Sequence, residues 1–415
     1  MDYPKLVRCA VVGTYPPTPC GLATFSQALV SHASRLGAEV DVVRIVDHHE
    51  PFPAGEVVHH LVHGAPRAAS EAAATLNGYD LVVLQHEYGI YPGVDGDGVL
   101  AVLDRVRVPV MAVLHTVLVD PTPHQRKVLQ AVVEAADGVV TMTRTARRRL
   151  LDGYAVGEGK VHVIPHGAAE PPPLPPVLAS GRGPNRWSGR GLSHRLTRSE
   201  AARRPVILTW GLLGVGKGIE WGIEAMADLQ DLDPSPIYVV AGQTHPRVLE
   251  REGEAYRRRL QRRARSHGIA DMVVFDDRYL GAEDLHRLVQ AADVVLLPYD
   301  SREQVTSGVL IEAVAAGKPV VSTGFPHAVE LLADGAGLLV DQRDPAAIAA
   351  ALRRVLTEPG LAARMSAEAD RLAPGLSWQA VAGAYLSLGS ALVMAKGRTS
   401  VRTPTRAAVA VAAAG

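Results

Sequence analysis

The sequence predicts an α/β protein of two doubly wound, parallel-sheet domains in tandem, with their strand ends facing a cleft. Three observations carry this expectation. Short, continuous apolar runs recur along both halves with helical stretches between them, the pattern of parallel strands covered on both faces. A stretch rich in Pro, Gly, Ser and Arg over residues 170–204 interrupts the alternation, which resumes after it. Glycines and polar residues gather just beyond the apolar runs, where open parallel sheets bind their ligands.

The chain has 415 residues, enough for two ordinary domains, and 47% of them are apolar. Its 43 basic and 43 acidic residues balance, so no global basic field recruits nucleic acid. Cys9 falls in an expected strand and Cys20 in a loop; nothing supports a disulfide, and a reducing cytoplasm is the expected setting. The start, MDYPKLVRCAVVG, enters a strand without a signal-peptide pattern. Residues 406–415 are Ala/Val-rich but too short to span a bilayer. A soluble protein is expected, with peripheral contact at the inner face of a membrane left open.

The elements follow in order. Residues 1–168 are expected to form the first domain. Its strands fall at 6–12, 40–46, 80–85, 109–114, 138–142 and 161–164. A Pro-rich loop runs from Gly13 to Cys20, and a helix from Gly21 shows Leu22, Phe25, Leu29, Ala33 and Leu36 on one face. Residues 169–204 read as a flexible linker or insertion, with a basic contact to an anionic partner as the competing reading. Residues 205–376 are expected to form the second domain, with strands at 206–210, 237–241, 272–275, 294–297, 319–323 and 337–340. The basic run from Arg257 to Arg265 reads as a solvated helix face. The same reading applies to Arg144, Arg147, Arg148 and Arg149, against contact with anionic lipid. A last helix over 377–395, carrying Trp378, Val381, Tyr385 and Leu388, is expected to pack back on the first domain, and 396–415 to be a flexible tail.

The candidate chemistry sits at strand ends. These are Gly13, Gly21 and Thr24; His86, Glu87 and Tyr88; His115 and Thr116; Pro165 to Gly167; Gly211 to Gly218; Gly242 and Gln243; and Pro298 to Gly308. The most informative stretch is EQVTSGVLIEAVAAGKPVV, from Glu303 to Val321. Ser307 is a good N-cap, which leaves the amides of Gly308, Val309 and Leu310 for an anion. Glu312, in the second turn, is placed to accept hydrogen bonds from a diol such as a ribose. Gly317 is the expected C-cap, and Pro319 opens the next strand. The pairing of a phosphate site with a diol acceptor points to a nucleotide.

GLLGVGKG, from Gly211 through Gly216 to Gly218, resembles a phosphate-gripping loop. It is not a P-loop, because Gly218 stands where Ser or Thr would reach Mg²⁺. Either Lys217 neutralises a diphosphate, or this is a glycine-rich turn with a solvated lysine. His115 is either a satisfied polar group at a strand end or part of a site. His59, His60 and His63 have metal-ligand spacing without supporting carboxylates, so no metal is expected.

Taken together, these motifs resemble the retaining, nucleotide-sugar-dependent glycosyltransferases of family 4 with the GT-B fold, closest to a mannosyltransferase-like bacterial branch. The likeness covers nearly everything outside 170–204 and the tail past about 396, and it is most specific from Pro298 onward. It implies two Rossmann-like domains, no cofactor, and a GDP- or UDP-sugar donor. The acceptor would be a hydroxyl of a glycan, glycolipid or small molecule. By resemblance Gly21 approaches the diphosphate or acceptor, and His115 contacts the transferred sugar near the reacting carbon. Lys217 sits on the diphosphate. Thr306, Ser307, Gly308 and Val309 bind phosphate and sugar hydroxyls, and Glu312 holds the ribose. Asp277 to Leu280, with Arg278 and Tyr279, line the base pocket, and His86, Glu87 and Tyr88 lie on the acceptor side.

The sequence also departs from the family pattern. Leu212 and Leu213 stand where the family has an arginine, so Arg278 or another residue would replace that clamp. Eight positions before Glu312 is Gln304, not glutamate; either Gln304 or Glu303 faces the sugar. VIPHG, with His166, replaces VIPNG. A non-catalytic nucleotide-sugar-binding protein and a sugar-nucleotide epimerase are the competing functions.

Overall fold

The computed structural model describes residues 8–52, 55–169, 204–278 and 280–401. In chain order its elements are β1 (Arg8–Gly13), α1 (Gly21–Arg35), β2 (Glu39–Val46), β3 (Val57–Val62), α2 (Ala68–Leu76), β4 (Leu81–His86), α3 (Val99–Leu103), β5 (Val110–Leu114), α4 (Pro123–Ala135), β6 (Gly138–Thr141), α5 (Arg144–Gly153) and β7 (Val161–Val163). There follow β8 (Val206–Trp210), α6 (Ile219–Ala227), β9 (Ile237–Ala241), α7 (Pro246–Glu252), α8 (Ala255–Ser266), β10 (Val273–Asp276), α9 (Ala282–Ala291), β11 (Val294–Leu297), α10 (Gly308–Ala315), β12 (Val320–Thr323), α11 (Pro326–Leu332), β13 (Gly337–Val340), α12 (Pro345–Thr357), α13 (Leu361–Leu376) and α14 (Trp378–Val401). The linker reading of 169–204 falls almost wholly outside the described residues, as does the tail reading of 396–415 past Val401, while residues 396–401 continue α14.

The chain divides into two compact units. One runs to Pro165 and takes up the chain again at Trp378; the other is His166–Ser377. The segment after β7 belongs to the second unit because Ala168 donates its amide to the Leu376 carbonyl (2.7 Å) and bridges Ser377.

The first unit holds a seven-stranded sheet, ordered β3-β2-β1-β4-β5-β6-β7, in which all pairs are parallel. Its central strands are buried along their whole length, so their sequences carry no alternation. Helix termini are set by side chains. Cys20 Sγ accepts the Ala23 amide at the start of α1, Thr122 and Gln125 form a capping box ahead of Pro123, and Thr143 caps α5. Strand β3 is not among the strands expected from the sequence. It is an edge strand whose two central residues are His59 and His60, so it lacks the apolar run that marks the others. Phe52 stacks on His60 at 4.2 Å and His63, just past the strand, pairs with Asp47, while His59 Nε2 and His60 Nε2 have no hydrogen-bond partner among the described residues.

Helix α14 closes this unit. Trp378, Val381, Ala382 and Tyr385 are buried with Phe25, Leu29 and the β1 side chains. The Phe25 and Trp378 rings meet edge to face at 5.0 Å. A Cβ on Gly389 would lie 2.5 Å from Leu81, so this glycine lets the helix lie close on the sheet. By length and composition Trp378–Gly397 is long and apolar enough to cross a membrane, and here its buried face is part of the first unit's core.

The second unit holds a six-stranded parallel sheet, ordered β10-β9-β8-β11-β12-β13. Two cores lie on its two faces, one built around Ile223, Tyr238 and Leu352, the other around Leu297, Tyr299 and Ile311. In each sheet the strand order reverses once, between β1 and β4 and between β8 and β11. Such reversals open a crevice at the carboxyl ends of the strands. The loops after β1, β4, β8 and β11 carry most of the residues singled out above.

Arg257 corrects the expectation for the basic run. It is buried on α8, donates to the Gly242 carbonyl at 2.7 Å, and pairs with Glu254. Its neighbours Arg258 and Arg262 are exposed, as a solvated face requires.

Candidate functional site

The loop after β8 is shaped by its glycines. Gly211, Gly216 and Gly218 all have positive φ (115°, 92° and 62°). A Cβ on Gly218 would stand 1.7 Å from the Pro298 carbonyl oxygen, so only glycine lets this loop approach the one after β11. The two loops are joined there, because Asp300 donates its amide to the Gly216 carbonyl at 2.9 Å. Lys217 lies between them, with Nζ 4.2 Å above the ring of the fully buried Tyr299. Such a contact attracts the ammonium to the ring face. It places one cation at the carboxyl ends of β8 and β11.

Helix α10 begins as the sequence predicts, with Ser307 as N-cap. One amide is already used, since Leu310 donates to Ser307 Oγ at 3.3 Å. That corrects the expectation of three open amides. Those of Gly308 and Val309 have no acceptor among the described residues. Ser307 itself donates to His327 Nδ1 at 2.8 Å. The Thr306 hydroxyl is buried and has no hydrogen-bond partner among the described residues. The far end closes in a Schellman turn: Gly317, at φ 67°, donates to Val314 O and Lys318 to Ala313 O.

Glu312 lies one turn into α10 and is half-buried. Its Oε2 accepts a hydrogen bond from Trp210 Nε1 at 3.2 Å, and burial raises its pKa above the usual carboxylate range while the indole donor works the other way. Trp210 ends β8, so this bond ties the strand before the glycine loop to the helix after β11. The loop between holds Glu303 and Gln304, whose amides both donate to Ser301 Oγ (3.3 and 3.2 Å). Gln342 donates to the carbonyls of Tyr299 and Ser301, anchoring the same loop to the segment after β13.

Two histidines flank the start of α10. His166 Nδ1 donates to the Gly167 carbonyl at 2.6 Å, and its Nε2 lies 3.0 Å from where a Gly308 Cβ would be. Burial lowers the pKa of His166 and of His327 to about 4, so both rings are neutral near pH 7. Gly308 therefore admits the His166 ring beside the helix terminus.

Arg278 is engaged elsewhere. Its guanidinium holds Asp276 through Nε (2.9 Å) and Nη2 (2.6 Å) at the end of β10. This pairing depresses the Asp276 carboxyl. In this structure Arg278 is a partner of Asp276, two strands away from the lysine loop. Tyr279 lies outside the described residues.

In the first unit Gly21 opens α1, and a Cβ there would meet nothing within 4 Å. The preceding loop is pinned by buried Arg44. That guanidinium donates to the Tyr15 carbonyl (3.1 Å), Thr18 Oγ1 (3.0 Å) and Glu50 (2.8 Å). His115, at the end of β5, bonds Gln85 Oε1 through Nε2 at 2.7 Å and meets Phe25 edge on at 4.9 Å. His86 is buried, which pushes its pKa down to about 4, and its ring meets Tyr88 edge on. Glu87 accepts a short hydrogen bond from the Thr116 hydroxyl and another from the Tyr88 amide at 3.0 Å. Cys9 and Cys20 form no disulfide. Among the described residues no three His, Cys, Asp or Glu side chains gather as a metal site.

Sequence reasoning passed over Trp210, His327 and Arg44, and read Arg257 as part of a solvated face. The first two face α10, Trp210 from 102 residues away and His327 from twenty, and His327 falls within the stretch after Pro298 without having been singled out. The position of Trp210, directly before the glycine loop at a strand end, is the one signal that could have marked it.

Two family models match the chain. Residues 196–372 match the glycosyl transferases group 1 and residues 19–169 match Glycosyltransferase Family 4. Among curated proteins it is 29% identical over 334 residues to the D-inositol 3-phosphate glycosyltransferase of Acidothermus cellulolyticus, covering 76% of this chain and 68% of that protein. It is 33% identical over 277 residues to the protein of the same name from Kineococcus radiotolerans, covering 62% of this chain and 58% of the relative. The match thus spans under two thirds of that second relative. Among solved structures, Anabaena HepE in complex with UDP and glucose superposes with a TM-score of 0.70 at 16% identity, over 93% of this chain and all (100%) of that one. Sucrose-phosphate synthase from Thermosynechococcus elongatus gives 0.71 at 20% identity, over 94% and 100%.

Proposed function

Because this chain belongs to the family 4 glycosyltransferases of GT-B fold, we propose that it moves a hexose, of mannose or glucose type, from a nucleoside-diphosphate sugar to a hydroxyl acceptor with retained configuration. One arrangement carries the reading. The Lys217 ammonium, the amides of Gly308 and Val309, and the Glu312 carboxyl stand on the two loops and one helix that follow β8 and β11. A cation and helix-terminal amides suit a diphosphate, and a half-buried carboxyl with free lone pairs suits a ribose diol.

In the reaction the bond from the anomeric carbon to the diphosphate oxygen breaks, and a bond to the acceptor oxygen forms on the same face. The acceptor proton passes to the leaving phosphate. Charge developing on the leaving group is held by Lys217 and by the amides of Gly308 and Val309. His115, its ring fixed by Gln85, contacts the transferred sugar near the reacting carbon. Glu303 or Gln304 meets the sugar hydroxyls. His86, Glu87 and Tyr88 line the acceptor side. The donor is GDP- or UDP-linked. The names of the curated relatives make a phosphorylated cyclitol the first acceptor to try, and the UDP complex of HepE makes UDP the first nucleotide.

A thermal-shift panel of GDP-, UDP- and ADP-sugars, followed by nucleotide release with and without acceptors, tests the proposal. A donor should raise the melting temperature, since ligand bound to the folded state stabilises it. Acceptor-dependent nucleotide release should follow. No shift with any sugar nucleotide overturns the donor reading. A shift without release in the presence of any acceptor favours a binding protein, and conversion of the donor alone to an isomeric sugar nucleotide an epimerase.

A further inference from the structure

We propose that Trp210 is a positioning residue for nucleotide recognition: its indole N–H fixes the Glu312 carboxyl so that the remaining lone pairs serve the ribose diol. The inference rests on the reading of Glu312 as the ribose ligand and adds what makes that ligand selective.

Trp210 is buried, with 4% of its surface exposed, and is the last residue of β8. It aligns in register with Ala241 of β9, so its backbone is held by the sheet rather than by the loop. Its Nε1 donates to Glu312 Oε2 at 3.2 Å across 102 residues of chain. Indole nitrogen donates and cannot accept, so the direction of this bond is fixed. No other hydrogen-bond partner of the Glu312 carboxyl is present among the described residues.

A glutamate on a helix has three side-chain torsions to order, and ordering them at the moment of binding weakens the bond that results. The indole does this ordering in advance. It occupies one lone pair of Oε2 and leaves the others to accept from two hydroxyls. Trp210 also precedes Gly211, whose positive φ starts the loop that ends at Lys217. One strand end therefore sets both the ribose acceptor and the start of the phosphate loop.

The test is the affinity of UDP against 2′-deoxy-UDP by titration calorimetry, with GDP and 2′-deoxy-GDP in parallel. The proteins are the unaltered chain, Trp210→Phe and Glu312→Gln. The unaltered protein should prefer the ribonucleotide by about ten- to a hundredfold, the scale of one hydrogen bond to a charged group. Trp210→Phe should lose most of that preference and approach Glu312→Gln, with the change falling on the ribonucleotide. If Trp210→Phe does not fold, benzothienylalanine at position 210 keeps the ring shape without the N–H and carries the same expectation. A ribonucleotide preference left intact in the position-210 variants but lost in Glu312→Gln overturns the role of Trp210 while leaving Glu312 as the ribose ligand, and one left intact in Glu312→Gln overturns Glu312 as that ligand. Absence of any preference in the unaltered protein overturns the Glu312 reading itself.

Discussion

The ring of His327 accepts the backbone amide of Ser307 at 2.8 Å, which fixes the start of α10 from a helix twenty residues further along the chain. With Nδ1 as acceptor, the proton of the neutral ring must sit on Nε2. A protonated ring would have a donor at both nitrogens and would lose this bond. The contact therefore requires a neutral imidazole, and burial supplies one by lowering its pKa to about 4.

Acid sensitivity follows from this. His327 and His86 are both buried, with pKa values lowered from 6.5 to about 4. Between those values the unfolded chain binds protons that the folded chain does not. Stability is thus fully present above pH 6.5 and lost as pH falls through 4, at up to roughly 1.4 kcal/mol per pH unit for each group. Urea unfolding at intervals from pH 7 to pH 4 should show the decline. His327→Asn, which keeps an acceptor for Ser307 and does not titrate, should flatten it. An unchanged slope in that variant would remove His327 from the account.

Glu312 should trade stability for binding. Its raised pKa means that the folded state disfavours the carboxylate, so stability is greatest below the unfolded value of 4.5 and falls as pH rises through the folded value. Glu312→Gln, neutral at all pH, should melt higher than the parent at pH 7 without ligand, and the gap should shrink below pH 4.5. The same variant should lose most of the donor-induced thermal shift. A variant that melts lower and still binds nucleotide would contradict both parts.

Lys217→Ala removes the cation above Tyr299 while leaving the loop glycines in place. On the proposed mechanism turnover should fall by about a hundred- to a thousandfold, as when one stabiliser of developing charge is removed. Steady-state kinetics with a circular dichroism control would check it. Turnover within threefold of the parent would discard Lys217 as the diphosphate ligand.

Gly218 and Gly21 should respond differently to the same change. At Gly218 an alanine meets the Pro298 carbonyl at 1.7 Å and keeps a φ of 62°, so Gly218→Ala should destabilise by about 3 kcal/mol or more. At Gly21 a Cβ has nothing within 4 Å, so Gly21→Ala should leave the melting temperature nearly unchanged and slow turnover if substrate approaches that backbone. Paired denaturation and activity measurements separate the two. A stable, fully active Gly21→Ala would show that no ligand comes near this position.

Much of the scaffold was legible because its signals are local. Buried parallel strands are short apolar runs, and all but β3 stood out as such; β3 hid because an edge strand tolerates His59 and His60. Ser307 as a cap and Gly317 as a terminator were readable from a few neighbouring residues. Trp210, His327, Arg44 and Arg257 were not. Each works through a partner that the fold, not the sequence, brings near: Glu312, the Ser307 amide, the Tyr15 carbonyl and the Gly242 carbonyl.

By itself, then, the sequence determined the parallel α/β architecture, the glycine loop before Lys217 and the capped start of α10. Periodicity, turn chemistry and capping act over one or two turns of chain. Only the tertiary structure decided that His327 takes the Ser307 amide, that Arg257 is buried against the Gly242 carbonyl, and that Glu312 is held by an indole 102 residues away. Those are properties of packing, where a buried donor must find its acceptor wherever the fold delivers one.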